Sequence, residues 1–140
     1  FAVILLGLLT LQSCKKSHSD IGAVVFKETR NKIFKDIENV ALSEVIDETH
    51  FSNFWLNTIL IKPSIDRNKE SLRLSLENAN IESRPLWKPM HLQPVFCKFP
   101  YYGGKIAEEL FDKGLCLPSG SNLTNEDKNR IRKVIETFFN

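Results

Sequence analysis

Apolar positions along this chain fall first into a helical rhythm and then into an extended one. Across residues 21–40, Phe26, Ile33 and Ile37 recur at helical spacing with Phe34 beside them, and charged residues fill the other positions, which predicts a helix. Residues 41–53 are polar and irregular, with Asp47, Glu48 and Thr49 marking a turn or loop. Residues 54–61, FWLNTILI, predict a strand that is apolar on both faces and stopped by Pro63. Two covered faces imply a buried strand in a layered α/β structure. Asp66 is placed to cap a second helix with Leu72, Leu76 and Ala79 on its apolar face and Asn78 and Asn80 at its end. Residues 81–86 predict a short strand that Pro85 confines to an edge or a terminus. Gly103 and Gly104 precede a third helix bearing Ile106, Ala107, Leu110 and Phe111, with Gly114 expected as its left-handed cap. Leu115, Cys116 and Leu117 read as a brief extended piece. Thr124 and Asp127 make an approximate capping box for a last helix, whose stripe is Ile131, Val134, Ile135, Phe138 and Phe139.

Composition narrows the classes. A chain of 140 residues fits one domain with a real core, and 42% apolar with 26% charged residues is globular rather than disordered. A net charge of +2, from 19 basic and 17 acidic residues, gives no general reason to expect nucleic acid or an anionic membrane as partner. The cysteines are Cys14, Cys97 and Cys116; the odd number and the lack of C-x-x-C spacing disfavour zinc, any other metal and a disulfide framework. Cys97 and Cys116 read as small packed side chains rather than reactive thiols. Residues 1–20 stand apart as an atypical apolar segment. The run FAVILLGLLTL is too short for the roughly 20 residues of a membrane-spanning helix but fits a signal-peptide core. Leu11-Gln12-Ser13-Cys14 resembles the cleavage box of bacterial lipoproteins. The other reading is a helix, intact or degraded, from the core of a larger protein. The chain starts at Phe1 and its only methionine is Met90, so the expectation is a truncated start or a piece of a longer reading frame.

Candidate chemistry concentrates in residues 81–96, IESRPLWKPMHLQPVF. Arg84 and Lys88 can meet phosphate oxygens, Trp87 offers a flat face to a base or sugar, and His91 can donate a hydrogen bond or shuttle a proton. Pro85, Pro89 and Pro94 restrict the backbone and would hold these groups in place before binding. The plainer reading is a proline-stiffened crossover with Trp87 packed down and Arg84 on the surface. The LPSGSN turn, residues 117–122, can line a pocket or simply connect two elements. His18 and His50 sit in polar context as solvated side chains, and Lys128, Arg130, Arg132 and Lys133 form a solvated helix face. No Ser/His/Asp or Cys/His set and no Gly-rich phosphate loop can be assembled, so no catalytic residue is assigned.

Residues 81–96, then YYGGKIAEELFDKGLCLPSGSNLT, then the final amphipathic helix, closely resemble the end of the DegT/DnrJ/EryC1/StrS aminotransferases. The resemblance runs from about Asn31 to Asn140. It implies a pyridoxal phosphate enzyme that aminates nucleotide-linked keto sugars for surface polysaccharide synthesis. Residues 21–140 would be the small C-terminal domain of a type I aminotransferase fold, an α/β (α+β) unit with a short, mostly antiparallel sheet covered by helices. The implied partners are a nucleotide-sugar, an amino donor such as glutamate and a second subunit; the implied compartment is the cytoplasm. Substrate contacts would fall to Arg84, Trp87, Lys88 and His91. The Schiff-base lysine and most of the cofactor site belong to a large domain that this sequence lacks, so the chain alone is expected to be inactive. Residues 1–20 fit the family poorly. The competing reading is a small lipoprotein of the cell envelope that binds an anionic ligand and is anchored through Cys14.

Overall fold

The computed structural model describes residues 30–42, 49–50, 52, 55–64, 66–120 and 122–140. The apolar run at the start, Cys14, His18, the first part of the expected long helix, Asp47, Glu48, Phe54 and Ser121 lie outside the described residues.

Four strands form one antiparallel sheet: β1 (Val40–Leu42), β2 (Asn57–Ile61), β3 (Arg84–Pro85) and β4 (Gly114–Leu117), in the order β1-β2-β4-β3. Ile59 sits opposite Leu115, Val40 opposite Ile61, and Arg84 opposite Cys116. Helices α1 (Lys69–Asn78), α2 (Ile106–Lys113) and α3 (Asn125–Phe139), a helical stretch at residues 30–34 and a 3-10 turn at Met90–Leu92 complete the described elements. Leu72 and Leu76 of α1, Ile131 and Ile135 of α3, and Ile59, Ile61, Leu115 and Leu117 of the sheet form one apolar core, joined by Ile33, Phe34 and Ile81. Each such side chain stabilises the fold by roughly 1.5–3 kcal/mol when fully buried. The stripes read from α1 and α3 therefore do face the core, and Val134, Phe138 and Phe139 flank it.

Several expectations change. Among described residues 30–40, helical backbone covers 30–34 only. Tight turns, with Ile37 N–H donating to Phe34 O and Val40 N–H to Ile37 O, then lead into β1. There Lys62 N–H donates to Asn39 O at 2.9 Å and draws the chain into the sheet. This strand falls at a place where the sequence reads first as helix and then as loop. The second strand begins at Asn57, with a bend at residues 55–56, and alternates: Asn57, Ile59 and Ile61 are buried, Thr58 and Leu60 only partly. The strand buried on both faces is instead β4. Asn57 is fully enclosed and neither of its side-chain amide atoms has a partner. Asn68, not Asp66, caps α1: its side chain accepts from the Glu70 and Ser71 N–H groups, while Ser71 Oγ accepts from Asn68 N–H. Beyond the helix, Asn80 takes the left-handed conformation, with φ of 54°.

The capping box of α3 is present as read. Thr124 Oγ1 accepts from Asp127 N–H, and Asp127 Oδ2 accepts from Thr124 N–H at 2.9 Å. Hydrogen bonds from Thr124 hold the Asp127 carboxyl below its ordinary pKa. A carboxyl depressed in the folded state contributes stability above its unfolded pKa and loses it as pH falls through the folded value. Asp127→Asn is therefore expected to lose less stability than the wild type between about pH 5 and pH 2. Thermal unfolding followed across that range checks this, and parallel acid limbs for the two proteins would contradict it.

Candidate functional site

The loop of interest leaves the sheet at β3. That strand is two residues long and lies at the sheet edge, where Pro85 can lack an N–H without breaking an interior ladder. Gly114 starts β4 beside it, in extended backbone with φ of −88° and ψ of 137° rather than as a left-handed cap. Glycine is required there by contact: an added Cβ would lie 2.0 Å from Leu86 Cδ1 and 2.5 Å from the Leu110 carbonyl oxygen. This close approach seats Leu86, which immediately precedes Trp87.

Trp87 is 69% exposed, and its indole centroid lies 6.4 Å from that of Trp55, which is 67% exposed. Ser119 Oγ donates to the Trp55 carbonyl at 2.7 Å, tying this pair to the turn after β4. Sequence reasoning spent Trp55 on a strand and missed it as a surface aromatic; its place just ahead of Asn57, the one polar residue on a buried strand face, was the available clue. Lys88 is exposed, and its carbonyl accepts from Gln93 Nε2 across the 3-10 turn. Pro89 is buried and anchors that turn. Arg84 is exposed and paired with Glu82 at 2.5 Å, a surface ion pair of small energetic weight.

His91 turns toward α2. Its Nε2 lies 3.0 Å from Glu108 Oε1, and its ring stacks on Tyr101 at 3.7 Å between centroids and 23° between planes. Tyr101 is itself fixed by its hydroxyl, which donates to the Gly104 carbonyl at 2.5 Å. Gly103 between them has φ of 142°, a conformation L-residues rarely adopt.

The four residues read from the sequence share a loop but not a cleft. Arg84 borders a cavity of about 420 Å³ with Ser83, Ser119, Leu117, Asp127 and Arg130. The turn after β4 thus lines a pocket as well as connecting two elements. Ser83 Oγ is buried there without a partner. Arg130 closes one side by donating to the carbonyls of Ala79 and Asn80 at 3.1 and 2.7 Å. His91 borders a separate notch of about 240 Å³ with Met90, Phe96, Phe99, Pro100 and Tyr101. Trp87 and Lys88 line neither hollow. Cys116 is packed as expected, and burial pushes its thiol pKa up, away from reactivity. Cys97, in contrast, is exposed, because its loop carries it outside the core; its thiol reaches the Pro94 carbonyl.

The apolar stripe of α2 does not meet the core. Ile106 is 73% and Leu110 41% exposed, and no residue of α2 is buried. Among the described residues no helix is long and apolar enough to cross a membrane.

A family described as the DegT/DnrJ/EryC1/StrS aminotransferase family matches residues 11–136. The match starts well before Asn31, and so takes in Cys14 and half of the segment that reads as foreign to the family. EpsN of Bacillus subtilis, whose name includes pyridoxal phosphate-dependent aminotransferase, is 41% identical over 92 residues, 63% of this chain and 23% of EpsN. GDP-perosamine synthase of Escherichia coli O157:H7 is 35% identical over 89 residues, covering 64% of this chain and 24% of the enzyme. A solved structure of a DegT DnrJ EryC1 StrS aminotransferase from Brucella abortus superposes with a TM-score of 0.68 at 25% identity, over 99% of this chain and 34% of that one. The chain thus spans about a quarter of the length of these curated relatives.

Proposed function

Since this chain belongs to the DegT/DnrJ/EryC1/StrS aminotransferase family, we propose that it serves as the small-domain part of a pyridoxal phosphate-dependent sugar aminotransferase. The family match across residues 11–136 carries the reading. The parent enzyme acts on a nucleotide-linked keto sugar, takes its amino group from a donor such as glutamate, and works in the cytoplasm as a homodimer. On this reading Lys88 and Arg84 meet phosphate oxygens, Trp87 stacks on a base or sugar and His91 makes a polar contact, with the substrate lying along the loop surface, since the four residues share no single cleft. In support, Trp87, Lys88 and Arg84 are all exposed along one proline-stiffened loop, with Trp55 widening the aromatic surface. The uncovered stripe of α2 suits a helix that packs against the rest of a longer enzyme. A family match that runs through Cys14 favours this reading over a lipoprotein cut at that cysteine.

The described residues do not fit the attachment site of pyridoxal phosphate. Schiff-base chemistry needs a lysine amine held, deprotonated, in a pocket against the cofactor aldehyde. Neither the cavity beside Arg84 nor the notch beside His91 is lined by lysine, and Lys88 and Lys105 are both exposed. Lys133 borders another hollow but is itself exposed, so among the described residues no lysine is held as this chemistry needs, which supports the reading that the chain alone does not transaminate. Mixing it with pyridoxal phosphate should give no stoichiometric lysine-linked absorbance band; such a band, lost on Lys88→Ala or Lys105→Ala substitution, would overturn this.

Substrate contact is tested by titrating the full chain with GDP-mannose and following backbone and indole resonances. Trp87 and Lys88 should shift, and Lys88→Ala should weaken binding about tenfold, as expected for loss of a charge-assisted hydrogen bond. Shifts confined to other parts of the chain would reject these residues as the contact surface.

A further inference from the structure

We propose that Glu108 and Tyr101 are positioning residues that clamp His91 in one ring orientation and, when the imidazole is neutral, in one tautomer. The inference rests on His91 being a contact residue only for its use, not for its geometry. A carboxylate can only accept a hydrogen bond, so the 3.0 Å contact with Glu108 Oε1 requires the proton to sit on His91 Nε2. Neutral His91 then carries an unprotonated Nδ1. Tyr101 covers one face of the ring at 3.7 Å and is itself held by Gly104, so swinging the imidazole away from Glu108 also gives up this stacked contact. The clamp joins the 3-10 turn to α2 across residues 91–108, two elements separated by a loop without regular structure. The side chains of His91 and Glu108 are 15% and 33% exposed, sheltered enough for their hydrogen bond to compete with water, while Tyr101 is exposed on its outer side.

The consequence is a restriction on what the site can recognise. Neutral His91 presents Nδ1 as an acceptor, which suits a hydroxyl or N–H donor of a ligand and does not suit a phosphate oxygen. Phosphate contacts would then fall to Arg84 and Lys88. The same clamp closes the segment between residues 91 and 108, since the His91–Glu108 contact holds its two ends together.

Two measurements on the full chain, without ligand, test this. With histidine labelled by nitrogen-15 at a pH above the ordinary imidazole range of about 6.5, long-range proton–nitrogen spectra should place the His91 proton on Nε2. That proton should give a slowly exchanging signal. Glu108→Ala should abolish slow exchange, whereas Glu108→Gln, whose side-chain oxygen can still accept, should restore part of it. Tyr101→Phe keeps the stacked ring and should preserve the His91 signal while loosening the backbone near Gly104, read as faster amide exchange there. A His91 proton on Nδ1, or an Nε2 proton unaffected by Glu108→Ala, would overturn the clamp. Neither readout depends on ligand binding. A clamp that stands while GDP-mannose leaves His91 unmoved would instead count against the substrate reading.

Discussion

Gly114→Ala is expected to lower stability by about 3 kcal/mol, the upper part of the usual range for overpacking. The backbone of Gly114 is ordinary extended chain, so no conformational preference is at stake. The penalty is steric. The new methyl would fall 2.0 Å from Leu86 Cδ1, which can rotate away at some cost in packing, and 2.5 Å from the Leu110 carbonyl oxygen, which cannot. That carbonyl accepts the Gly114 N–H and so closes α2. Moving it would unpick the helix end and shift β4 from its partners on both sides. Leu86→Ala in the same chain should recover only part of the loss, because the carbonyl clash remains. Urea denaturation followed by circular dichroism gives the measurement; a Gly114→Ala midpoint equal to the wild type would show that the junction of α2 and β4 yields more easily than this packing allows.

Ile135→Ala should cost a similar amount, about 3 kcal/mol, or roughly a hundredfold in the folding equilibrium. Ile135 is fully enclosed where α3 meets α1 and the sheet. Truncation removes the transfer energy of the lost methylenes and leaves a void that neighbouring residues on three elements cannot fill together. Val134, one position along and only partly buried, is the control. Val134→Ala should cost distinctly less, since water and adjacent side chains can occupy its edge of the helix. Equal losses at the two positions, measured with unchanged denaturant slopes, would mean that α3 is not seated by this stripe.

Periodicity was informative where one side of an element meets the core. Leu72 and Leu76 in α1, and Ile131 and Ile135 in α3, repeat at helical spacing because each helix has a single buried face. Thr124 and Asp127 were legible because a cap is a local bond between near neighbours. The first strand was not legible. Val40–Leu42 is three residues long, with burial alternating around an exposed Ala41, too short to establish a period of two. Its pairing is decided by residues 57–61, far away in sequence. The stripe of α2 showed the limit of pattern reading in a different way. Ile106 and Leu110 have helical spacing, yet both remain exposed among the described residues; a pattern reports that a face wants burial without saying against what. The candidate site divided similarly. Composition found Trp87, Lys88 and His91, but whether a side chain turns toward solvent or toward a neighbour is set by partners such as Glu108 and Tyr101, which sequence alone gave no reason to join to His91.

The two rims of the sheet differ in what they could template. At β3 the backbone nitrogen of Pro85 carries no hydrogen, and the strand stops after two residues, so an incoming chain would find a broken ladder. At β1 the register turns the Ala41 N–H and carbonyl toward Leu60, and Val40 N–H donates to Ile37 O, so the ladder groups facing away from β2 are the Val40 carbonyl and the Leu42 N–H and carbonyl. Among the described strands, fibrillar growth by strand addition would thus be directional, starting from the β1 side, and a proline at Leu42, whose N–H faces away from β2, would blunt it while leaving the Ala41–Leu60 pair intact.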